Sequence, residues 1–245
     1  MRVVLAILIA YVAFGASLSC FLKLEDTFQS IEIDPLTLTA LFATFLVPSL
    51  LIIAGGVITA PKAGLRSHIL DSVRGNLMLV PGQWAGTAFI GLVVCLLAML
   101  ASAAIHVLSP ASFATEENWR DITVMEAIKL AAVSLAMVVL GWVGLLNLLA
   151  WICLRIFGMA RRNLALAAAI VLAESLYWGL IAILIIYLDY PFDLAMMADG
   201  FIWSSVTIMG AWLYVTRTLE HGVLALMWIP ILTLALRPLW THLGI

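Results

Sequence analysis

One carboxylate, Glu174, stands inside an otherwise apolar stretch, about ten residues beyond Asn163. An ionisable group at the centre of a hydrocarbon layer costs at least ~2.5 kcal/mol on insertion scales, so a carboxyl there needs a partner or a task. Tyr177 and Trp178 follow three and four residues later and share its helical face. Asn147, in the preceding apolar stretch, lies at a similar distance from the same end, which predicts a Glu174–Asn147 hydrogen bond between neighbouring helices. Two kinds of chemistry fit these residues. One is interhelical hydrogen bonding, worth about 0.5–2 kcal/mol; the other is proton or substrate handling by the Glu174 carboxyl. A lone carboxylate without an intramembrane base or metal ligand fits the first better.

The remaining polar residues add no reactive set. His68, His106, His221 and His242 are scattered and show no metal-ligand spacing. Cys20, Cys95 and Cys153 lie in apolar runs without a CxxC pair, so neither a disulfide framework nor a zinc site is indicated. Ser134, Ser175, Ser204 and Ser205 come without a His or Lys base at matching depth. There is no Gly-rich phosphate loop. The expectation is therefore no catalytic residue, no metal and no cofactor, and a non-enzymatic role.

The elements that must hold these residues are apolar helices. Of 245 residues, 65% are hydrophobic and 11% charged, against roughly 25% charged in a soluble domain. Lipid must cover such a surface. The pattern predicts an all-α, polytopic transmembrane bundle of seven spans, at residues 3–22, 36–60, 85–108, 128–157, 164–188, 201–216 and 222–240. The whole of 1–245 reads as a single integral membrane domain, with two spans in 1–60 and five in 85–245.

Charge alternates between the connections. Lys62, Arg66 and Arg74 occupy the second, Arg161 and Arg162 the fourth with Arg155 just before, and Arg217 the sixth. Acids dominate the first, third and fifth, the last holding Asp189, Asp193 and Asp199. With Arg2, eight of the twelve bases fall on one side, which makes that side and the N-terminus cytoplasmic under the positive-inside rule. Trp84, Trp119, Tyr187, Tyr190 and Trp240 fall near span ends, where amphipathic rings settle at the interface. The net charge of −2 speaks against a nucleic-acid partner. The expected partners are the lipid bilayer, of the bacterial inner-membrane type, and a protein met through the basic cytoplasmic loops.

Smaller features complete the pattern. Residues 67–74 fit a short amphipathic helix on the cytoplasmic face, or an ordinary solvated loop. Asp189-Tyr190-Pro191 and Asp199-Gly200 read as turn chemistry between the fifth and sixth spans, with Met196-Met197 in that loop. Gly55, Gly56, Gly141, Gly144 and Gly210 are small residues that let helices approach closely. Ser17-Leu18-Ser19 before Cys20 makes a poor lipoprotein box and no A-x-A site follows, so the first span is expected to remain as an uncleaved anchor.

Two families share fragments of this pattern. Ala173-Glu174-Ser175-Leu176-Tyr177-Trp178-Gly179 resembles the EExxxRG signature of the CAAX-protease-like intramembrane metalloproteases. Ala173 stands in place of its first Glu and Trp178 in place of its Arg, and the later spans lack the in-membrane histidines, which implies at most a degenerate, inactive relative. The second resemblance covers residues 85–245. The fourth span closes on Asn147 to Gly158, ending Arg155-Ile156-Phe157-Gly158; Trp212-Leu213-Tyr214 ends the sixth, and His221-Gly222 opens the last. This arrangement resembles the Yip-domain family of small five-span membrane proteins. Met159 replaces the second Gly of that family's turn, and two N-terminal spans are additional. The resemblance implies a scaffold or interaction protein of the membrane, since eukaryotic members bind small GTPases and shape membranes. A transporter or transporter subunit, with Glu174 as its proton or substrate site, is the alternative.

Overall fold

In a computed structural model the described residues are 2–24, 35–67, 82–109, 123–187 and 193–243. Their regular structure is helical throughout, with no strand among the described residues. The helices are α1 (Arg2–Leu24), α2 (Pro35–Thr59), α3 (Gly82–Leu108), α4 (Val124–Met137), α5 (Asn147–Phe157), α6 (Arg162–Tyr187), α7 (Leu194–Thr216), α8 (Leu219–Leu226), α9 (Trp228–Ala235) and α10 (Arg237–Leu243). A π-helical segment, Val138–Leu146, joins α4 to α5, and short 3-10 turns lie at Ala60–Ala63 and Met159–Arg161. Among the described residues three helices are long and apolar enough to cross a membrane: Trp84–Leu108, Val124–Phe157 and Leu194–Thr216. Val3–Gly15, Val47–Ala63 and Leu219–Ala235 are shorter apolar helices.

The chain forms two compact units, Met1–Met78 with Lys129–Ala169 and Leu79–Ile128 with Ile170–Ile245. In the first, α2 lies along the π segment and α5, and α1 packs on α2. A methyl group at Gly56 would collide with the carbonyl oxygens of Val143 and Gly144, and one at Gly144 would sit 2.9 Å from the Ile52 side chain. Two helices thus touch backbone to backbone, as the small residues at 56 and 144 predict. Gly141 does not take part; a methyl there meets nothing within 4 Å. Tyr11 on α1 donates to the Leu50 carbonyl at 2.7 Å, and Ile53, Val57, Leu146 and Ala150 fill the interior.

In the second unit α3 packs on α7 and α8, and α7 and α8 form a hairpin through Arg217 and Thr218. Gly91 makes the close approach here, since a methyl at that position would lie 2.6 Å from the Ala225 Cα. Cys95, one turn further, donates from Sγ to the Ala225 carbonyl at 3.5 Å.

Three expectations need correcting. Asp199-Gly200 is not a turn, because α7 starts at Leu194 and carries both residues, and Met196-Met197, in its first turn. Asp193 causes the early start: as N-cap its carboxylate accepts from the Met196 N–H at 3.0 Å. The single last span at 222–240 is in fact α8, α9 and α10 in succession. Pro230 and Pro238 have no N–H to offer the carbonyls of Leu226 and Leu234, and the helix breaks within two residues of each, at Met227 and Leu236. Trp240 is wholly buried instead of lying at an interface. The amphipathic reading of 67–74, Arg74 itself, and the rings of Trp119, Tyr187 and Tyr190 lie outside the residues and side chains described.

Candidate functional site

The second unit contains a polar seam along α7. Arg217, just past its C-terminal end, donates to Thr87 Oγ1 on α3, and at the other end Ser102 Oγ on α3 donates to Asp199. Asp199 and Arg217 are eighteen residues apart, five full turns at 3.6 residues each, so both face α3. Partners 87 and 102 run in the opposite order, which makes the two helices antiparallel. At 1.5 Å per residue the two ties lie roughly 22–27 Å apart, close to the thickness of a hydrocarbon core.

Between those ties α7 meets α6. Glu174 accepts from Thr207 Oγ1 at 2.9 Å, and the Trp178 indole N–H donates to Ser204 Oγ. Glu174 and Trp178, four residues apart, do share a face as the sequence predicts, and that face is the one turned to α7. Thr207 is eight residues from Asp199 and ten from Arg217, so the Glu174 bond sits midway between the two ties. The Thr207 hydroxyl also lies 3.0 Å from the Ser204 carbonyl. Gly200 gives the Trp178 ring its seat, since a methyl at 200 would occupy the ring's position, and Phe201 stacks on it with centroids 6.0 Å apart. Tyr177 meets Trp178 edge-on at 6.3 Å and is otherwise exposed.

The Glu174–Asn147 pairing expected from the sequence joins residues of different units, and each has its own partner. Glu174 takes Thr207. Asn147, fully buried where the π segment ends, donates from Nδ2 to the Val143 carbonyl at 2.9 Å. In the widened register the Asn147 backbone N–H bonds the carbonyls of Trp142 and Gly144 and passes over Val143. The side chain thus serves the buried carbonyl that the Asn147 N–H passes over.

The histidines occupy two polar corners of the second unit. His106 is buried on α3, one turn from Ser102 and under the electrostatic influence of Asp199. His221, in α8, stacks on Trp84 at 4.5 Å with Nδ1 2.8 Å from Thr218 Oγ1. Among the described residues no group of three or more His, Cys, Asp or Glu is placed to hold a metal ion. Sequence reasoning singled out neither Thr207 nor the Ser102–Asp199 pair. The eighteen-residue interval between Asp199 and Arg217 was the available signal, hidden while Asp199 counted as loop.

No protein-family model, no curated protein and no solved structure matches the chain.

In the first unit the two basic connections, Lys62 with Arg66 and Arg161 with Arg162, meet at Gly64 through Arg162. Helix α5 packs on the turn Ala60–Ala63, and the Arg162 guanidinium lies against Gly64, 3.5 Å from where a Cβ would stand. Gly64 has φ +68, a left-handed conformation that favours glycine.

Proposed function

We propose that the chain is a multi-pass membrane protein of seven spans that acts as a non-enzymatic scaffold or interaction protein, of the Yip-like kind its C-terminal pattern resembles. The observation that carries this reading is the use of the polar seam. Glu174, Trp178, Asp199 and Arg217 each bond a hydroxyl on a neighbouring helix. Such bonds average about 0.6 kcal/mol in membrane helices and reach ~1.7, so the seam fixes which helices pair more than it adds stability. In this reading Lys62, Arg66, Arg74, Arg161 and Arg162 face the cytoplasmic side, toward anionic lipid or a protein partner.

One observation favours the transporter alternative. Glu174 is only half-buried, and among the described residues Thr207 is its sole hydrogen-bond donor, on Oε1. The second carboxylate oxygen is left for a proton or a substrate.

The two readings separate in sealed vesicles containing the purified protein and a trapped pH dye. The scaffold reading expects an imposed pH gradient to decay as in empty vesicles, with Glu174→Gln indistinguishable from wild type. It also expects Glu174→Leu to lower thermal stability, by about 0.6–1.7 kcal/mol, because the hydrogen bond from Thr207 across to α6 is lost and the hydroxyl keeps only the Ser204 carbonyl of its own helix. A proton flux in wild type that Glu174→Gln abolishes, in a variant that unfolds at the same temperature, would establish the transporter instead.

A further inference from the structure

Among its described residues, 2–24, 35–67 and 129–169, the first unit carries positive charge and no Asp or Glu. Lys62 and Arg66 come from one connection, and Arg155, Arg161 and Arg162 from another almost a hundred residues later, yet the fold sets the Arg162 guanidinium against Gly64, between Lys62 and Arg66 in the chain, and packs the helix that carries Arg155 on the same turn. None of the five forms an ion pair among the described residues. Like charges brought together in this way raise one another's energy, a cost that an anion would relieve.

The local backbone is fixed. Along 63–67 the side chains alternate, with Ala63, Leu65 and Ser67 buried and Arg66 exposed, so the strand of loop is anchored by three inward contacts and presents Arg66 outward. Gly64 closes the 3-10 turn by donating to the Ala60 and Pro61 carbonyls. On the helix packed against this turn, Arg155 lies over the Trp151 ring at 5.4 Å, a cation–π contact that restrains the guanidinium. Planar guanidinium forks match phosphate oxygens two at a time.

Apolar side chains rim the same turn. Ile156 is 72% exposed and Met159 65%, with Phe157 and Leu164 also exposed. A water-soluble acidic partner would meet cations on a polar surround. A cluster of cations bordered by exposed aliphatic chains suits a molecule with a charged head and an acyl tail.

We propose that residues 60–67 and 155–164 form a binding site for the phosphate headgroup of an anionic phospholipid. Lys62, Arg66, Arg155, Arg161 and Arg162 take the phosphodiester, and Ile156, Met159 and Leu164 lie along the chains. The site deepens the reading of the basic loops given above and rests on their facing a lipid leaflet.

The test is native mass spectrometry of the full chain, released from detergent micelles doped with equal phosphatidylglycerol and phosphatidylcholine. Wild type is expected to retain phosphatidylglycerol at least about tenfold over phosphatidylcholine. The variant Arg66→Gln/Arg161→Gln/Arg162→Gln should lose that preference, and Arg237→Gln, on the other unit, should keep it. If the triple variant fails to fold, raising salt on wild type serves instead, because a Debye length falling from about 10 Å to 3 Å weakens a headgroup contact and spares acyl contacts. Equal retention of the two lipids, or a preference untouched by both the substitutions and salt, overturns the proposal. So does retention of soluble glycerol phosphate as strong as that of the lipid, which would make the ligand a free phosphate ester. Extraction of membranes with alkaline carbonate distinguishes this failure from that of the broader reading. A chain that washes off sinks the membrane-protein reading, whereas an embedded chain that holds both lipids alike sinks only this site.

Discussion

Glu174 and Trp178 occupy one face of α6, but they depend on α7 in different ways. The Glu174 bond to Thr207 is a single hydrogen bond, so Thr207→Val is expected to cost only about 0.5–1.7 kcal/mol. The Trp178 seat is steric: any side chain at Gly200 takes the space of the indole ring. Gly200→Ala should therefore cost about 1–3 kcal/mol, the usual range for overpacking, even though alanine is the better helix former by ~1 kcal/mol. Thermal unfolding of the purified protein in one detergent checks the order, Gly200→Ala below Thr207→Val. The reverse order would mean that the ring can move aside. Glu174, Trp178 and their shared face were legible from an i, i+4 interval. Their partners were not, because Ser and Thr are common inside membrane helices and nothing in the sequence distinguishes a hydroxyl that crosses to a neighbour from one that bonds its own helix. Thr207 reaches across as well as back to Ser204, whereas Ser134 and Ser205 bond back to Leu130 and Ile202.

Among the elements, the contact of α2 with the π segment is the closest, and its glycines are not equivalent. Gly56→Ala drives a methyl group into two backbone carbonyls, atoms that cannot rotate away. The expected loss is ~3 kcal/mol or more, beyond the propensity gain of about 1. Gly141→Ala and Gly179→Ala, with nothing within 4 Å of either added methyl, should be neutral or stabilising by up to ~1 kcal/mol. The same unfolding measurement decides; equal effects at 56 and 141 would contradict backbone contact. Periodicity and hydropathy foretold helices in these places. The widened turn at Val138–Leu146 was not foretold, since it depends on a hydrogen-bond register that Asn147 completes locally. The breaks after Leu226 and Leu234 were legible in Pro230 and Pro238, four residues on in each case, but the apolar run between them masks the interruption.

For the molecule as a whole, the proposed orientation rests on the charge pattern. Ala160, beside the arginines between α5 and α6, belongs to the cytoplasmic side in this reading, and Leu194, at the acidic start of α7, to the opposite one. With Cys20, Cys95 and Cys153 replaced by Ala, Leu194→Cys in intact cells should react with a membrane-impermeant maleimide. Ala160→Cys should react only after permeabilisation. Labelling of both from one side would refute the orientation. Helix content and the three long apolar helices follow from composition alone, whereas the meeting of two distant basic connections at Gly64 required the fold.

The arrangement of charge along α7 has one more effect. Every helix carries a field of its own, equivalent to about half a positive charge at its start and half a negative charge at its end. Asp193 and Asp199 place negative charge at the start of this helix, and Arg217 places positive charge just past its end. Side chains and peptide groups therefore oppose one another at both ends, and because the full side-chain charges outweigh the half charges of the backbone, the field along α7 runs opposite to that of a bare helix.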